Sequence, residues 1–149
     1  MAPALPDHDV LRNKLRVITD SLDVLSGLEE LDEQRLRDDP ILAAAVERLI
    51  ARVVDQAVDI NNHLCAVLLG RSAGEYRESF RLVADAGIVP LPLADQLMQS
   101  VAMRNVIVHG YLQLDLGLVA AAVPLALAQY RSYVSAVAAW LVDHPTSAE

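Results

Sequence analysis

Three side chains with reactive chemistry lie within eight residues of one another in this 149-residue sequence. Arg104 carries a permanent positive charge on a planar group whose geometry fits a phosphate. His109 has the side chain that most readily takes up or releases a proton near neutral pH, and Tyr111 adds a phenol. A cation that binds phosphate, placed close to a group that transfers protons, is suited to the cleavage of a phosphodiester.

Helical spacing decides which of these side chains can act together. Arg104 and His109 are five residues apart, which is about 140° around an ideal helix, so they do not share a face. Asn105 and His109 are four apart and do share one. A site that uses both Arg104 and His109 therefore needs the helix to end near His109, or a second copy of the chain facing the first.

The same residues also have an ordinary structural interpretation. A histidine in the last turn followed by Gly110 is typical of a helix C-terminus, where the helix dipole favours the imidazole and glycine takes a left-handed conformation. Arg104 would then be a surface charge and Tyr111 a core aromatic. Spacing alone leaves both interpretations open.

Polar residues recur at spacings of three and four along the middle of a long predicted helix: Arg52, Asp55, Asp59, Asn62 and His63. The simplest interpretation is a solvated helix face. A metal site formed by Asp55, Asp59 and His63 is weakly supported, because metal sites in bundles draw carboxylates and histidines from facing helices. In a third interpretation the stripe lines the cleft of Arg104 and His109, where an acid such as Asp59 orients one of them.

Composition and charge limit the classes of protein. Hydrophobic residues make up 54% and charged residues 21%, which is typical of a globular chain. The net charge of −8 argues against a general nucleic-acid or DNA-binding surface. A local phosphate-binding cleft stays possible, because all but one of the twelve basic residues are arginines, which bind phosphate in a bidentate way.

Several further features indicate a cytoplasmic protein without a cofactor or metal ion. The single cysteine, Cys65, lies in an apolar helix and is expected to be a buried, reduced thiol. The longest apolar run, residues 116–128, is too short to span a membrane and contains Pro124. The N-terminus has no signal-peptide pattern. We find no glycine-rich phosphate loop and no Cys/His cluster.

Apolar periodicity and capping residues predict an all-α fold, an antiparallel bundle of about five helices in one domain over residues 1–149. Residues 1–6 and 145–149 are expected to be disordered tails. Pro124 is expected to kink or divide the last helix. The predicted helices cover residues 7–31, 40–69 with Asp39 as cap, 72–86, 91–108 and 116–142.

The string Arg104-Asn105-Val106-Ile107-Val108-His109-Gly110-Tyr111 resembles the Arg-x4-His-x-Tyr signature of the HepT-like branch of HEPN-domain proteins. The polar residue that these proteins carry directly after the arginine is also present, as Asn105. Residues 39–69, with 59–64 inside them, resemble the second helix of the family, and residues 76–80 and 86–90 resemble its third helix and turn. The resemblance covers the chain from about residue 10 to about residue 140.

This resemblance implies a two-fold homodimer with an HEPN-like fold and both motifs in one cleft. It further implies a metal-independent endoribonuclease toxin that acts on RNA, with Arg104, Asn105 and His109 as catalytic residues. Asp55, Asp59, Asn62 and His63 would support the cleft. A minimal nucleotidyltransferase antitoxin would neutralise the toxin by transferring adenylyl groups from ATP to Tyr111.

A non-catalytic alternative fits the same motif. The chain would then be a docking module for the nucleotidyltransferase, an interpretation that the acidic balance favours, whereas the complete motif favours the nuclease. We expect the nuclease. Of the other tyrosines, Tyr76, Tyr130 and Tyr133 are expected to lie away from the cleft.

Overall fold

Six α-helices and no strand form the part of the chain that the computed structural model describes, residues 5–110 and 114–145. The predicted all-α class is therefore confirmed. The helices are α1 (His8–Gly27), α2 (Glu33–Asp38), α3 (Pro40–Leu69), α4 (Tyr76–Asp85), α5 (Leu91–His109) and α6 (Leu116–Asp143). None of them is long and apolar enough to cross a membrane.

Contacts along α1 show how the long helices are oriented. Asp7 and Lys14 contact His63 and Asp59 on α3 in that order, so these two helices run antiparallel. Farther along α1, Asp23 accepts a hydrogen bond from Arg131 of α6. The helix α1 therefore packs against both of the longest helices, α3 and α6.

The additional helix, α2, lies between the first two predicted helices, where no helix was expected, and α1 ends at Gly27 rather than at residue 31. The Asp32 carboxylate caps α2 by accepting a hydrogen bond from the backbone N–H of Arg35 at 2.7 Å. Leu36 on the same short helix is fully buried. The cap and the buried leucine thus both stabilise a segment whose composition is mostly charged.

The 30-residue helix α3 begins and ends as predicted. The Asp39 carboxylate accepts from the Leu42 N–H at 3.1 Å, and Pro40 occupies the first helical position, where its missing donor is not needed. Gly70 ends the helix with a φ of 69°, a conformation that favours glycine. This long helix carries both the polar stripe and much of the core.

Pro124 lies inside α6 and does not divide it, contrary to one of the two expectations for this residue. Val123 and Ala126 on either side are buried against the core. Tertiary packing therefore holds the two halves in one helix despite the missing backbone donor.

The core has a larger cluster built from α1, α3, α4, α5 and α6 and a smaller one that includes α2. Cys65 lies in the larger cluster, only 1% exposed, as predicted. Burial raises the pKa of its thiol, with Arg71 acting weakly in the opposite direction. This thiol is a packing residue and not an accessible nucleophile.

A series of hydrogen bonds between buried residues fixes the start of α4 against α3. The Tyr133 hydroxyl is shared between the Asn61 Oδ1, at 2.6 Å, and the Ala57 carbonyl. Asn61 Nδ2 donates to the Ser79 Oγ at 3.1 Å, and that hydroxyl donates to the Tyr76 carbonyl at 2.7 Å. Because a buried polar group without a partner lowers the stability of the fold, these hydrogen bonds favour one position of Tyr76.

Candidate active site

Arg104 reaches across from α5 to Asp55 on α3. Its Nε donates to the Asp55 Oδ1 at 2.8 Å, a short charge-assisted hydrogen bond. The arginine side chain is 17% exposed and the aspartate side chain 33%. The pair is therefore sheltered from water but open on one side, which excludes the ordinary surface-charge interpretation of Arg104.

Tyr76, the first residue of α4, packs against the same guanidinium. The Arg104 Cζ lies 4.5 Å from the centroid of the Tyr76 ring, within the range of a cation–π contact. Arg104 Nη2 also donates to the Tyr76 hydroxyl at 3.3 Å. The expectation that Tyr76 lies away from the cleft is therefore wrong.

The Tyr76 phenol keeps its proton more firmly than an ordinary tyrosine. Partial burial raises its pKa first, and the negative charge of Asp55 raises it further, while Arg104 lowers it. The hydroxyl thus stays neutral, so it can accept a hydrogen bond from the arginine and still carry its own proton.

Asn105 turns its amide towards Arg104. Its Oδ1 accepts a hydrogen bond from the Arg104 Nη1 at 3.2 Å. Because the amide oxygen is engaged there, the NH2 group is the part that can donate to a phosphate oxygen or to the imidazole. The three contacts to Asp55, Tyr76 and Asn105 use three of the five N–H donors of a guanidinium.

His109 is the last residue of α5, and Gly110 follows with a left-handed φ of 57°. The helix therefore ends at the histidine, as one of the two arrangements requires, but Arg104 and His109 both belong to α5 and stay about 140° apart around it. The rise between the two residues is about 7.5 Å along the helix. Tyr111, the predicted adenylyl acceptor, lies outside the described residues.

The polar stripe of α3 is divided between the site and the packing of other elements. Within the stripe, only Asp55 contacts Arg104, so Asp55 takes the role for which Asp59 was the expected example. Asp59 instead contacts Lys14 at 3.4 Å. The backbone N–H of Asp7 donates to the His63 Nε2 at 3.0 Å. Asn62 Oδ1 accepts from the backbone N–H of Ala73 at 3.2 Å.

The three residues of the weakly supported metal interpretation likewise contact different partners. Asp55 contacts a cation, Asp59 contacts a lysine, and His63 accepts from the main chain. Among residues 5–110 and 114–145, no group of three or more His, Cys, Asp or Glu is arranged to hold a metal ion.

Sequence reasoning found Arg104, Asp55 and Asn105 but missed Tyr76. The aspartate belongs to a polar stripe with helical spacing, which is a visible signal. Tyr76 is 28 residues from Arg104 and follows a turn, so periodicity within one helix does not connect them. The sequence does contain one indication of its role, since Tyr76 is a large aromatic residue at the first position of α4.

Comparisons with known proteins indicate the family of this chain. Residues 15–137 match the family described as ribonuclease HepT-like. The chain is 26% identical over 132 residues to the mRNA nuclease HepT of Shewanella oneidensis, covering 89% of this chain and 98% of that protein. It is 28% identical over 133 residues to the tRNA nuclease HepT of Aphanizomenon flos-aquae, covering 89% and 90%.

A solved structure with the same fold extends the comparison. The tri-AMPylated Shewanella oneidensis HEPN toxin, in complex with the MNT antitoxin, superposes with a TM-score of 0.79 at 26% identity, covering 89% of this chain and 99% of that chain. The matched family region contains α3, α4 and α5, the three helices that form the site. This chain therefore belongs to the ribonuclease HepT-like family.

Proposed function

We propose that this protein is an endoribonuclease toxin that cleaves RNA without a metal ion. The observation that carries the proposal is the Arg104 guanidinium, which Asp55 and Tyr76 hold in a sheltered position on the helix that ends in His109. A cation held in this way binds a phosphate whose charge grows in the transition state, without first having to reorganise.

The reaction needs only groups that RNA and these side chains supply. The 2′-oxygen attacks the adjacent phosphorus, the bond from phosphorus to the 5′-oxygen breaks, and the products are a 2′,3′-cyclic phosphate and a 5′-hydroxyl. One proton leaves the 2′-hydroxyl and one reaches the departing 5′-oxygen. His109 would act in one of these transfers, Arg104 would hold the phosphate, and the Asn105 NH2 group would donate to a phosphate oxygen or to the imidazole.

The names of the relatives support RNA as the substrate class. One relative is named an mRNA nuclease and the other a tRNA nuclease. Since the two names differ in the kind of RNA, we propose the RNA phosphodiester as the substrate and no particular RNA.

We further propose that a nucleotidyltransferase antitoxin neutralises the protein by adenylylating Tyr111. The solved relative that is tri-AMPylated and bound to its MNT antitoxin supports this step. An adenylyl group on Tyr111 would place a fixed negative charge and a nucleotide near Arg104, in competition with the RNA phosphate.

A two-fold homodimer would bring two copies of the motif to one cleft. Val106 and Val108, between Arg104 and His109, are 46% and 47% exposed, which leaves apolar surface beside the motif for a partner. Light scattering at micromolar concentration should give the mass of a dimer. A monomer at all concentrations would contradict this part of the proposal.

Expression in bacteria, with and without a cognate nucleotidyltransferase, separates the nuclease from the docking module that the net charge of −8 favours. We expect the wild-type chain to stop growth when expressed alone, and both the antitoxin and Arg104→Ala to restore it. Arg131→Ala, which removes an exposed arginine paired with Asp23, is the matched control and should stay toxic. A wild-type chain that is folded but harmless would favour the docking module.

A further inference from the structure

We propose that Tyr76 is a positioning residue of the active site, which holds the Arg104 guanidinium in the orientation that receives the phosphate. This inference rests on the proposed nuclease function for its kinetic consequence. Its geometric content, that Tyr76 fixes Arg104, is independent of that function.

Two elements outside α5 determine where the guanidinium lies. Asp55 on α3 fixes one edge through Nε at 2.8 Å. Tyr76 on α4 lies against the group at 4.5 Å from its ring centroid and accepts from Nη2 at 3.3 Å. An ion pair alone leaves a long side chain free to rotate about the shared contact, whereas a second contact on a ring removes that freedom.

Tyr76 can act in this way because its own main chain is fixed from the core. The Ser79 hydroxyl donates to its carbonyl at 2.7 Å, and Asn61, which is fully buried, donates to that hydroxyl. The turn before Tyr76 is also attached, since Ala73 N–H donates to Asn62 and Gly74 N–H donates to Glu78. The position of the ring is therefore set by contacts within the protein that do not involve the substrate.

The catalytic consequence follows from when the guanidinium matters most. A phosphate gains negative charge on its oxygens as the transition state forms, so a pre-oriented donor contributes more there than to substrate binding. Loss of the Tyr76 ring should accordingly lower kcat and leave KM nearly unchanged.

Two substitutions separate the ring from the hydroxyl. We expect Tyr76→Leu to lower kcat about 10- to 100-fold, a range below that for removing a transition-state donor outright. Tyr76→Phe keeps the ring and should retain kcat within about threefold, because the hydrogen bond that it loses is long. Equal losses in both variants, or a Tyr76→Leu variant within threefold of wild type, would overturn the proposal.

A spectroscopic measurement makes the test independent of activity, and its wild-type and Tyr76→Phe arms do not depend on how well the leucine variant folds. In the wild-type protein, the Arg104 Nε–H resonance should exchange slowly with water and show a ring-current shift that is lost in Tyr76→Leu and kept in Tyr76→Phe. The exposed guanidinium of Arg131, paired with Asp23 at 2.9 Å, provides the comparison because it is an ion-paired arginine at the surface.

The two measurements also separate this inference from the proposed function. A wild-type chain that cleaves no RNA but shows the Arg104 signature would overturn the nuclease and support the positioning by Tyr76. An active wild-type chain whose Arg104 Nε–H shows no ring-current shift would support the nuclease and overturn the role of Tyr76.

Discussion

Asp55 and Arg104 are joined by an Nε–Oδ1 contact of 2.8 Å although they are 49 positions apart in the chain. This contact connects α3 to α5. Among the described residues, Asp55 is the only acid that contacts the arginine of the motif. Both side chains are sheltered, so screening by water and salt is weaker than at a surface ion pair. The following predictions start from this pair.

Asp55→Asn should lower the rate of RNA cleavage about tenfold, because a neutral amide orients the guanidinium less firmly than a carboxylate does. The free energy of unfolding should change by no more than about 1 kcal/mol, since the aspartate is partly exposed. Asp59→Asn, one turn farther along the same helix and paired with Lys14, is the matched control. Normal cleavage by Asp55→Asn together with an inactive Asp59→Asn would contradict the assignment.

Asn61→Leu should destabilise the fold by about 1–3 kcal/mol, because two buried hydrogen bonds are lost at about 0.5–1.5 kcal/mol each. The substitution removes the acceptor of the Tyr133 hydroxyl and the donor to Ser79, all of which are buried. Urea unfolding followed by circular dichroism measures the change. Changing the neighbouring Asn62 to leucine should lower the stability less, because Asn62 is half-buried and makes one hydrogen bond, to Ala73. Equal losses of stability at the two positions would contradict the larger contribution assigned to the buried hydrogen bonds of Asn61.

The fold should lose stability in alkaline solution. Burial raises the pKa of Tyr130 and Tyr133 above the ordinary value of 10.0, so these phenols ionise more readily in the unfolded chain than in the folded protein. Their stabilising contribution is therefore complete below pH 10.0 and is lost as the pH rises above it. Of the four tyrosines, these two should give tyrosinate absorbance only when helical circular dichroism is lost. Full tyrosinate absorbance in a still helical protein would contradict this prediction.

The sequence predicted the parts of this structure that local patterns determine. Asp39, Pro40 and Gly70 determine the ends of α3, and Gly110 ends α5 after His109, because caps and left-handed turns depend on neighbouring residues. The order of α2 was not predicted, because it depends on the burial of Leu36 by the rest of the fold.

The partners of the site residues depend on packing between helices, and here prediction from the sequence was less complete. A stripe at helical spacing identified both Asp55 and Asp59, but only the angle between α3 and α5 decides which acid meets Arg104. Tyr76 joins the site through the position of α4, which a buried chain through Asn61 and Ser79 fixes. No periodicity within one helix carries that information.

Tyr111→Phe should remain toxic in the presence of an active nucleotidyltransferase, because the substitution removes only the oxygen that accepts the adenylyl group. Mass spectrometry of the wild-type chain, after incubation with the enzyme, ATP and magnesium, should show added adenylyl units on Tyr111. Tyr130 and Tyr133 are fully buried and serve as internal controls that should stay unmodified. An adduct on another residue, or neutralisation of Tyr111→Phe, would contradict the assignment.

Cleavage of an end-labelled RNA by the purified chain in the presence of a metal chelator is the most direct measurement of the central claim. We predict that the wild-type chain produces fragments with a 2′,3′-cyclic phosphate, and that Arg104→Ala and His109→Ala each lower the rate by about 10²–10⁴-fold. Both variants should keep the wild-type melting temperature within a few degrees. Wild-type rates in both variants, or cleavage only after a divalent cation is restored, would contradict the account.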